Sequence, residues 1–198
     1  MTVLRTGEVR RKTGETAIEL FLQLDGAGQI QIDTGIPFLD HMLTLFAVHS
    51  FCDLRLKANG DLAVDDHHTV EDIGICLGEA FKQALGQKIG ICRYGEATIP
   101  MDEALARVAL DFSGRSFLFY QAEVEKENIG NLSVESIREF FQALANYAGM
   151  NLHIDLLRGD NTHHCLEAIF KAFAHAVRKA VAFEPRLQGA LSSKGTLI

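Results

Sequence analysis

Two stretches of this chain carry the same arrangement of potential metal ligands. His67-His68-Thr69-Val70-Glu71 and His163-His164-Cys165-Leu166-Glu167 are both His-His-x-x-Glu. With 8 histidines in 198 residues, chance ordering would give on the order of 0.02 copies of the pattern. Neutral imidazole with carboxylate is a usual shell for a catalytic transition metal. On a helix, His67 and Glu71 are i and i+4, as are His163 and Glu167, so each pair points one way as a two-toothed clamp for one ion. The adjacent His68 and His164 are rotated by about 100° and face elsewhere. Each motif therefore suits two ions. The symmetric solution groups His67 and Glu71 with His164, and His163 and Glu167 with His68. One copy alone reads equally well as a helix cap beside a satisfied histidine; two copies at matching repeat positions do not.

The elements that must position these residues also repeat. Val70, Ile73, Leu77, Phe81 and Leu85 follow the first motif at helical spacing, as Leu166, Ile169, Phe170, Phe173 and Val177 follow the second. Asp65-Asp66 and Asn161-Thr162 stand where helix N-caps belong. Residues 15–33 alternate apolar and polar around Asp25-Gly26-Ala27-Gly28 and predict a β-hairpin, and 105–124 do the same around Ser113-Gly114. Helical stretches follow at Phe38 to Phe51 and Val134 to Ala148. A strand comes next in each half, Asp53-Leu-Arg-Leu-Lys and Asn151-Leu-His-Ile-Asp, and then the His-His helix. Each half reads ββαβα. The expected fold is α+β: two repeated halves related by a pseudo-two-fold, with mainly antiparallel sheets and helices packed on one face.

Sliding the halves so that Leu54-Arg55-Leu56 meets Leu152-His153-Ile154 brings His41 onto Glu139, which adds one candidate ligand per half. His153 falls opposite Arg55 and is left out. By spacing alone His49, His153 and His175 are structural. Phe140, Phe141, Phe170 and Phe173 read as core, and Cys165 as a small core residue off the ligand face.

Composition narrows the function classes. At 198 residues and 47% hydrophobic content, the expectation is one domain with an ample core, made of halves at about 9–95 and 100–185. No stretch approaches a membrane span, and the polar start from Thr6 to Glu15 is no signal peptide. Four scattered cysteines without a Cys-x-x-Cys pair suit a reducing cytoplasm rather than a disulfide framework. A net charge of −7 argues against nucleic-acid binding. Locally, Arg93, Arg115 and the tail Ser192-Ser193-Lys194-Gly195 offer the cations and hydroxyls of a phosphate shell, although on spacing alone solvated surface charge is the simpler reading.

Lys12-Thr-Gly-Glu15-Thr, Phe38-Leu-Asp-His41-Met, Asp65-Asp-His67-His68-Thr-Val-Glu71-Asp, Asn161-Thr-His163-His164 with Glu167, and Ser192-Ser193-Lys194-Gly occur in that order. With them the chain resembles the imidazoleglycerol-phosphate dehydratases of histidine biosynthesis over nearly its whole length, in the single-function form. The resemblance implies a ribosomal protein S5 domain 2-like fold and two Mn²⁺ per active site. The matching ligand positions are His41, His67, His68, Glu71, Glu139, His163, His164 and Glu167. It implies a homo-oligomer of 24 subunits with active sites between chains, Glu15 and His49 facing the substrate, and phosphate held near Arg93, Arg115, Lys171, Ser192, Ser193 and Lys194. Two departures stand out. Glu139 replaces the His of some members, adding a negative charge, and Leu191 replaces the Pro that many carry before the Ser-Ser-Lys turn.

The implied reaction turns imidazole glycerol phosphate into imidazole acetol phosphate and water. No carbonyl acidifies the proton to be lost. A route through the imidazolate ring solves this: hydroxide departs to leave a diazafulvene-like intermediate, a base takes the adjacent proton, and the enol tautomerises. Glu15, Glu71 and Glu167 are the candidate proton-transfer groups, and the sequence does not choose among them. Two other classes compete: a metal-dependent hydrolase of a small phosphate ester, and a metal-storage shell. The second gives no reason for Glu15 or for the basic residues.

Overall fold

Alternation builds the first sheet. In the computed structural model, which describes residues 4–197, Thr16, Ile18, Leu20 and Leu22 of β2 (Thr16–Gln23) are buried while the residues between them are not. β2 pairs antiparallel with β1 (Thr6–Lys12) on one side and with β4 (Asp53–Gly60) on the other. β3 (Ile30–Asp33) runs parallel to β4, giving the order β1-β2-β4-β3. A parallel neighbour needs a crossover, and α1 (Pro37–Ser50) supplies it. α2 (His67–Leu85) then packs across β1 and β2.

The second half repeats the plan. β5 (Tyr94–Met101), β6 (Ala104–Asp111), β7 (Phe117–Gln121) and β10 (Asn151–Arg158) form a sheet of order β5-β6-β10-β7, with β7 parallel to β10. α3 (Val134–Ala148) is the crossover and α4 (Thr162–Val181) packs on β5 and β6. A two-residue ladder, β8 (Asn128–Ile129) with β9 (Leu132–Ser133), precedes α3. The helices lie between the sheets, α2 against α3 and α1 against α4. One buried apolar cluster runs through both halves, and Phe46 of α1 stacks on Phe173 of α4 with ring centroids 5.4 Å apart.

The α+β class, the duplication and the antiparallel bias are as expected, and two details differ. Each half is βββαβα rather than ββαβα, since β1 and β5 add one strand to each. Their inward faces carry small residues, Gly7 and Val9 in β1 and Gly95 and Ala97 in β5, so no apolar stripe marks them. A Cβ at Gly7 would strike the Ala80 carbonyl oxygen, and one at Gly95 that of Ala176; the strands press directly on helix backbone. The expected hairpins at 15–33 and 105–124 do not form either. β4 lies between β2 and β3, and β10 between β6 and β7; the true hairpins are β1–β2 and β5–β6. The apparent turns are instead tied to the incoming strand. Asp53 accepts hydrogen bonds from Ala27 N at 2.8 Å and Gln29 N at 2.7 Å, and Asn151 donates to the Arg115 carbonyl at 2.6 Å.

Candidate metal centre and phosphate cleft

α4 begins with the second His-His motif because Asn161 stops the preceding backbone and accepts hydrogen bonds from His163 N and His164 N. One turn later Glu167 lies below His163, and the packing of α1 on α4 brings His41 to the same spot. Glu167 Oε1 lies 2.9 Å from His41 Nε2 and 3.1 Å from His163 Nε2. Ligand atoms from all three fall within 4.8 Å of one another. Ligands about 2.1 Å from a six-coordinate ion stand about 3 Å apart, so this donor set fits a divalent metal. Lys171 Nζ holds the other oxygen, Oε2, at 2.5 Å. Burial pushes the Glu167 carboxyl up, but the hydrogen bonds from Lys171, His41 and His163 outweigh it and hold it at about 2, so it is an anion throughout the physiological range.

On α2 the mirror pair is looser, with His67 Nε2 and Glu71 Oε2 4.0 Å apart. Asp65 Oδ1 accepts from His67 N. Asp66, expected as a cap, makes no cap hydrogen bond and instead accepts from Ser133 N at the start of α3. Glu139, half-buried on α3, pairs with Arg138 at 3.2 Å. Among the described residues only His41, His163 and Glu167 form a group of three ligands.

His68 and His164 do not join these clusters within one chain, so the grouping of His164 with His67 and Glu71, and of His68 with His163 and Glu167, is not formed here. Asp61 Oδ2 accepts from His68 Nδ1 at 3.1 Å, with Glu15 Oε2 3.9 Å away. Glu103 Oε2 accepts from His164 Nδ1 at 2.8 Å, and Asp102 Oδ2 lies 3.9 Å from Nε2. These bonds draw both imidazoles above their ordinary range and hold Glu103 at about 2. The helical rotation that separates adjacent residues explains the split.

The basic residues form a second feature. Arg93, Ser113, Arg115, Ser192, Ser193 and Lys194 line a cleft of about 660 Å³. Arg93 is committed within it: its guanidinium makes two bonds to Asp111, at 2.6 and 2.8 Å, and donates to the Leu191 carbonyl at 2.7 Å, tying the tail to the second sheet. Lys171 does not line this cleft and instead bonds Glu167 in the His41–His163–Glu167 cluster. His49 faces His175 with ring centroids 5.5 Å apart, and burial, then the charges of His175 and Lys171, lower its pKa.

Residues 34–177 match the family described as imidazoleglycerol-phosphate dehydratase. The chain belongs to that family. It is 64% identical over 193 residues to the imidazoleglycerol-phosphate dehydratase of Syntrophomonas wolfei, covering 98% of each chain. It is 57% identical to that of Heliobacterium modesticaldum, over 98% of this chain and all of the relative. The crystal structure of the Staphylococcus aureus dehydratase superposes with a TM-score of 0.82 at 42% identity, over 90% of this chain and 99% of the other. That of Pyrococcus furiosus, in complex with (S)-C348, gives 0.83 at 36%, over 96% and 100%. The protein is therefore a dehydratase of histidine biosynthesis, a hydro-lyase, and the hydrolase and storage readings fall away. No helix among the described residues is long and apolar enough to cross a membrane.

Asp61, Asp102 and Glu103 sit beside the dehydratase motifs without having been singled out by sequence. They belong to turns, where acidic residues are common and no spacing marks them as partners of a distant histidine.

Proposed function

We propose that this dehydratase removes water from D-erythro-imidazole glycerol phosphate to give imidazole acetol phosphate, with two Mn²⁺ ions per active site, in a cytoplasmic 24-subunit assembly whose sites lie between chains. The observation that carries the reading is the convergence of His41, His163 and Glu167 from opposite halves of the chain. An all nitrogen and oxygen donor set without thiolate suits Mn²⁺. His41, His163 and Glu167 would hold one ion. His67 and Glu71 would start the second shell, with Glu139 from α3. His68 and His164, turned outward, would complete the shells of neighbouring copies. When bound, the metals supply Lewis acidity and a template for the two ring nitrogens.

The protein's own groups divide the remaining work. Glu167 is tied by His41, His163 and Lys171, and Glu71 faces His67. Glu15 is more than half exposed, on the β1–β2 turn, and is the carboxylate left free to move a proton between the departing hydroxyl and the neighbouring carbon. His49 lines the substrate side from the end of α1. Arg115, Ser192, Ser193 and Lys194 would bind the phosphate, with Lys171 nearer the reacting end, while Arg93 anchors Leu191 and so shapes the loop that lacks the usual proline. Residues 1–198 act as one domain, with repeats at about 9–95 and 100–185 and a phosphate-binding tail.

The test is turnover of imidazole glycerol phosphate by metal-stripped protein with and without added Mn²⁺. Formation of imidazole acetol phosphate only with Mn²⁺ is expected. Full activity in the stripped protein would overturn the metal assignment, and no turnover by assembled, remetallated protein would overturn the substrate.

A further inference from the structure

The two halves share one strand register, and it pairs residues that the motifs do not. In the first sheet Leu20 is opposite Leu56 and Val9 opposite Leu20. In the second, Val108 is opposite Ile154 and Ala97 opposite Val108. Following these ladders outward, Thr16 occupies the place of Ala104, and the β1–β2 and β5–β6 turns match without insertion. Glu15 therefore has a structural twin, Glu103, immediately before the equivalent strand.

The twins are used differently. Glu103 bonds His164 Nδ1 at 2.8 Å, whereas Glu15 stands 3.9 Å from His68 Nδ1 and Asp61 takes that nitrogen at 3.1 Å. A carboxylate oxygen accepts here, so in both cases Nδ1 carries a proton, and in the neutral ring Nε2 is the nitrogen left with a lone pair. The other Asp61 oxygen, Oδ1, is buried without a hydrogen-bond partner among the described residues. A carboxylate that is desolvated on one side and aimed at an imidazole N–H is the arrangement that orients a metal-ligating histidine and raises its basicity.

We propose that Asp61 and Glu103 are positioning residues that fix His68 and His164 with Nε2 outward for metal, and that Asp61 relieves Glu15 of the duty its twin performs. The repeat has diverged so that one turn carboxylate holds a ligand and the other is free for the substrate. This rests on the proposed ligand role of His68 and His164.

Mn²⁺ titration of the stripped full-length protein tests it, with thermal unfolding of each metal-free variant reporting the fold. Asp61→Ala and Glu103→Ala are expected to weaken Mn²⁺ binding about 10- to 100-fold, with Asp61→Asn, which keeps an acceptor, falling between Asp61→Ala and wild type. Glu15→Gln is expected to lose turnover while its Mn²⁺ affinity stays within about 2-fold of wild type, since Glu15 is absent from the ligand shell. Equal weakening by Glu15→Gln and Asp61→Ala would overturn the division of labour, as would wild-type affinity in both alanine variants. His68→Ala and His164→Ala separate the two levels. If they weaken binding but Asp61→Ala and Glu103→Ala do not, only the positioning role falls. If they too bind Mn²⁺ as wild type does, the ligand assignment falls with it.

Discussion

At the scale of single residues, the carboxylate of Glu167 is fully engaged by its neighbours. Its two oxygens are shared out, Oε1 to the histidines and Oε2 to Lys171. Glu167→Ala leaves the Lys171 ammonium facing two imidazoles with no anion between them. It is expected to lower bound Mn²⁺ by about one ion per chain on elemental analysis, and activity by more than the 10- to 100-fold typical of an outer partner. The His49–His175 pair makes a different prediction. Burial, followed by the charges of His175 and Lys171 for His49 and of Arg178 and Lys179 for His175, lowers both pKa values, with Glu167 opposing at His49. A histidine depressed in the fold stabilises it when neutral. That contribution is complete above the ordinary value of 6.5 and is lost as pH falls through the folded pKa. Between about pH 7.5 and about pH 5.5 the wild-type Tm should therefore drop more than that of His175→Gln, as measured by differential scanning calorimetry.

At the scale of elements, helix starts and strand-to-helix contacts set the precision of the site. Asn161 satisfies the amide groups of His163 and His164, which the proposed function makes metal ligands. Asn161→Ala should cost about 1 kcal/mol of stability in denaturant unfolding and loosen metal binding at the same time, because the cap and the clamp share residues. β5 reaches its register only because Gly95 lets the strand lie on the α4 backbone at Ala176. Gly95→Ala is expected to lower stability by about 1–3 kcal/mol, a larger effect than its size suggests, since carbonyl oxygen and not a movable side chain is in the way. The motifs, both long helices and the central strands were legible in the sequence because each carries a strong apolar period. α3 runs over the same residues, Val134–Ala148, that the periodicity marks. β1 and β5 were not legible, because close packing selects small residues that leave no period. The hairpins expected at 15–33 and 105–124 do not form, because alternation marks a half-buried strand without naming its neighbour.

At the scale of the whole molecule, the pseudo-two-fold makes each half complete the other. His41 of the first half meets His163 and Glu167 of the second, while His68 and His164 look away from the cluster toward acidic turns. A chain that presents donors on separate faces should use metal to join copies. Chelation is expected to lower the mass seen by light scattering, and readdition of Mn²⁺ to restore it; an unchanged mass after complete stripping would separate assembly from metal.

The sequence by itself determined the duplication and the α+β class, and pointed to the histidine and glutamate donors, since residue types, i to i+4 spacing and apolar period are local properties of a chain. Through the repeat it also made His41 and Glu139 equivalent positions of the two halves. Only the tertiary structure decided that His41 joins His163 and Glu167, that Lys171 bonds Glu167 in that cluster, that Arg93 is tied to Asp111 and Leu191, and that Asp61 and Glu103 bond the outward histidines. Those relations link residues far apart in the chain through the pairing of strands and the packing of α1 on α4, and no local pattern encodes which distant turn arrives beside which ring.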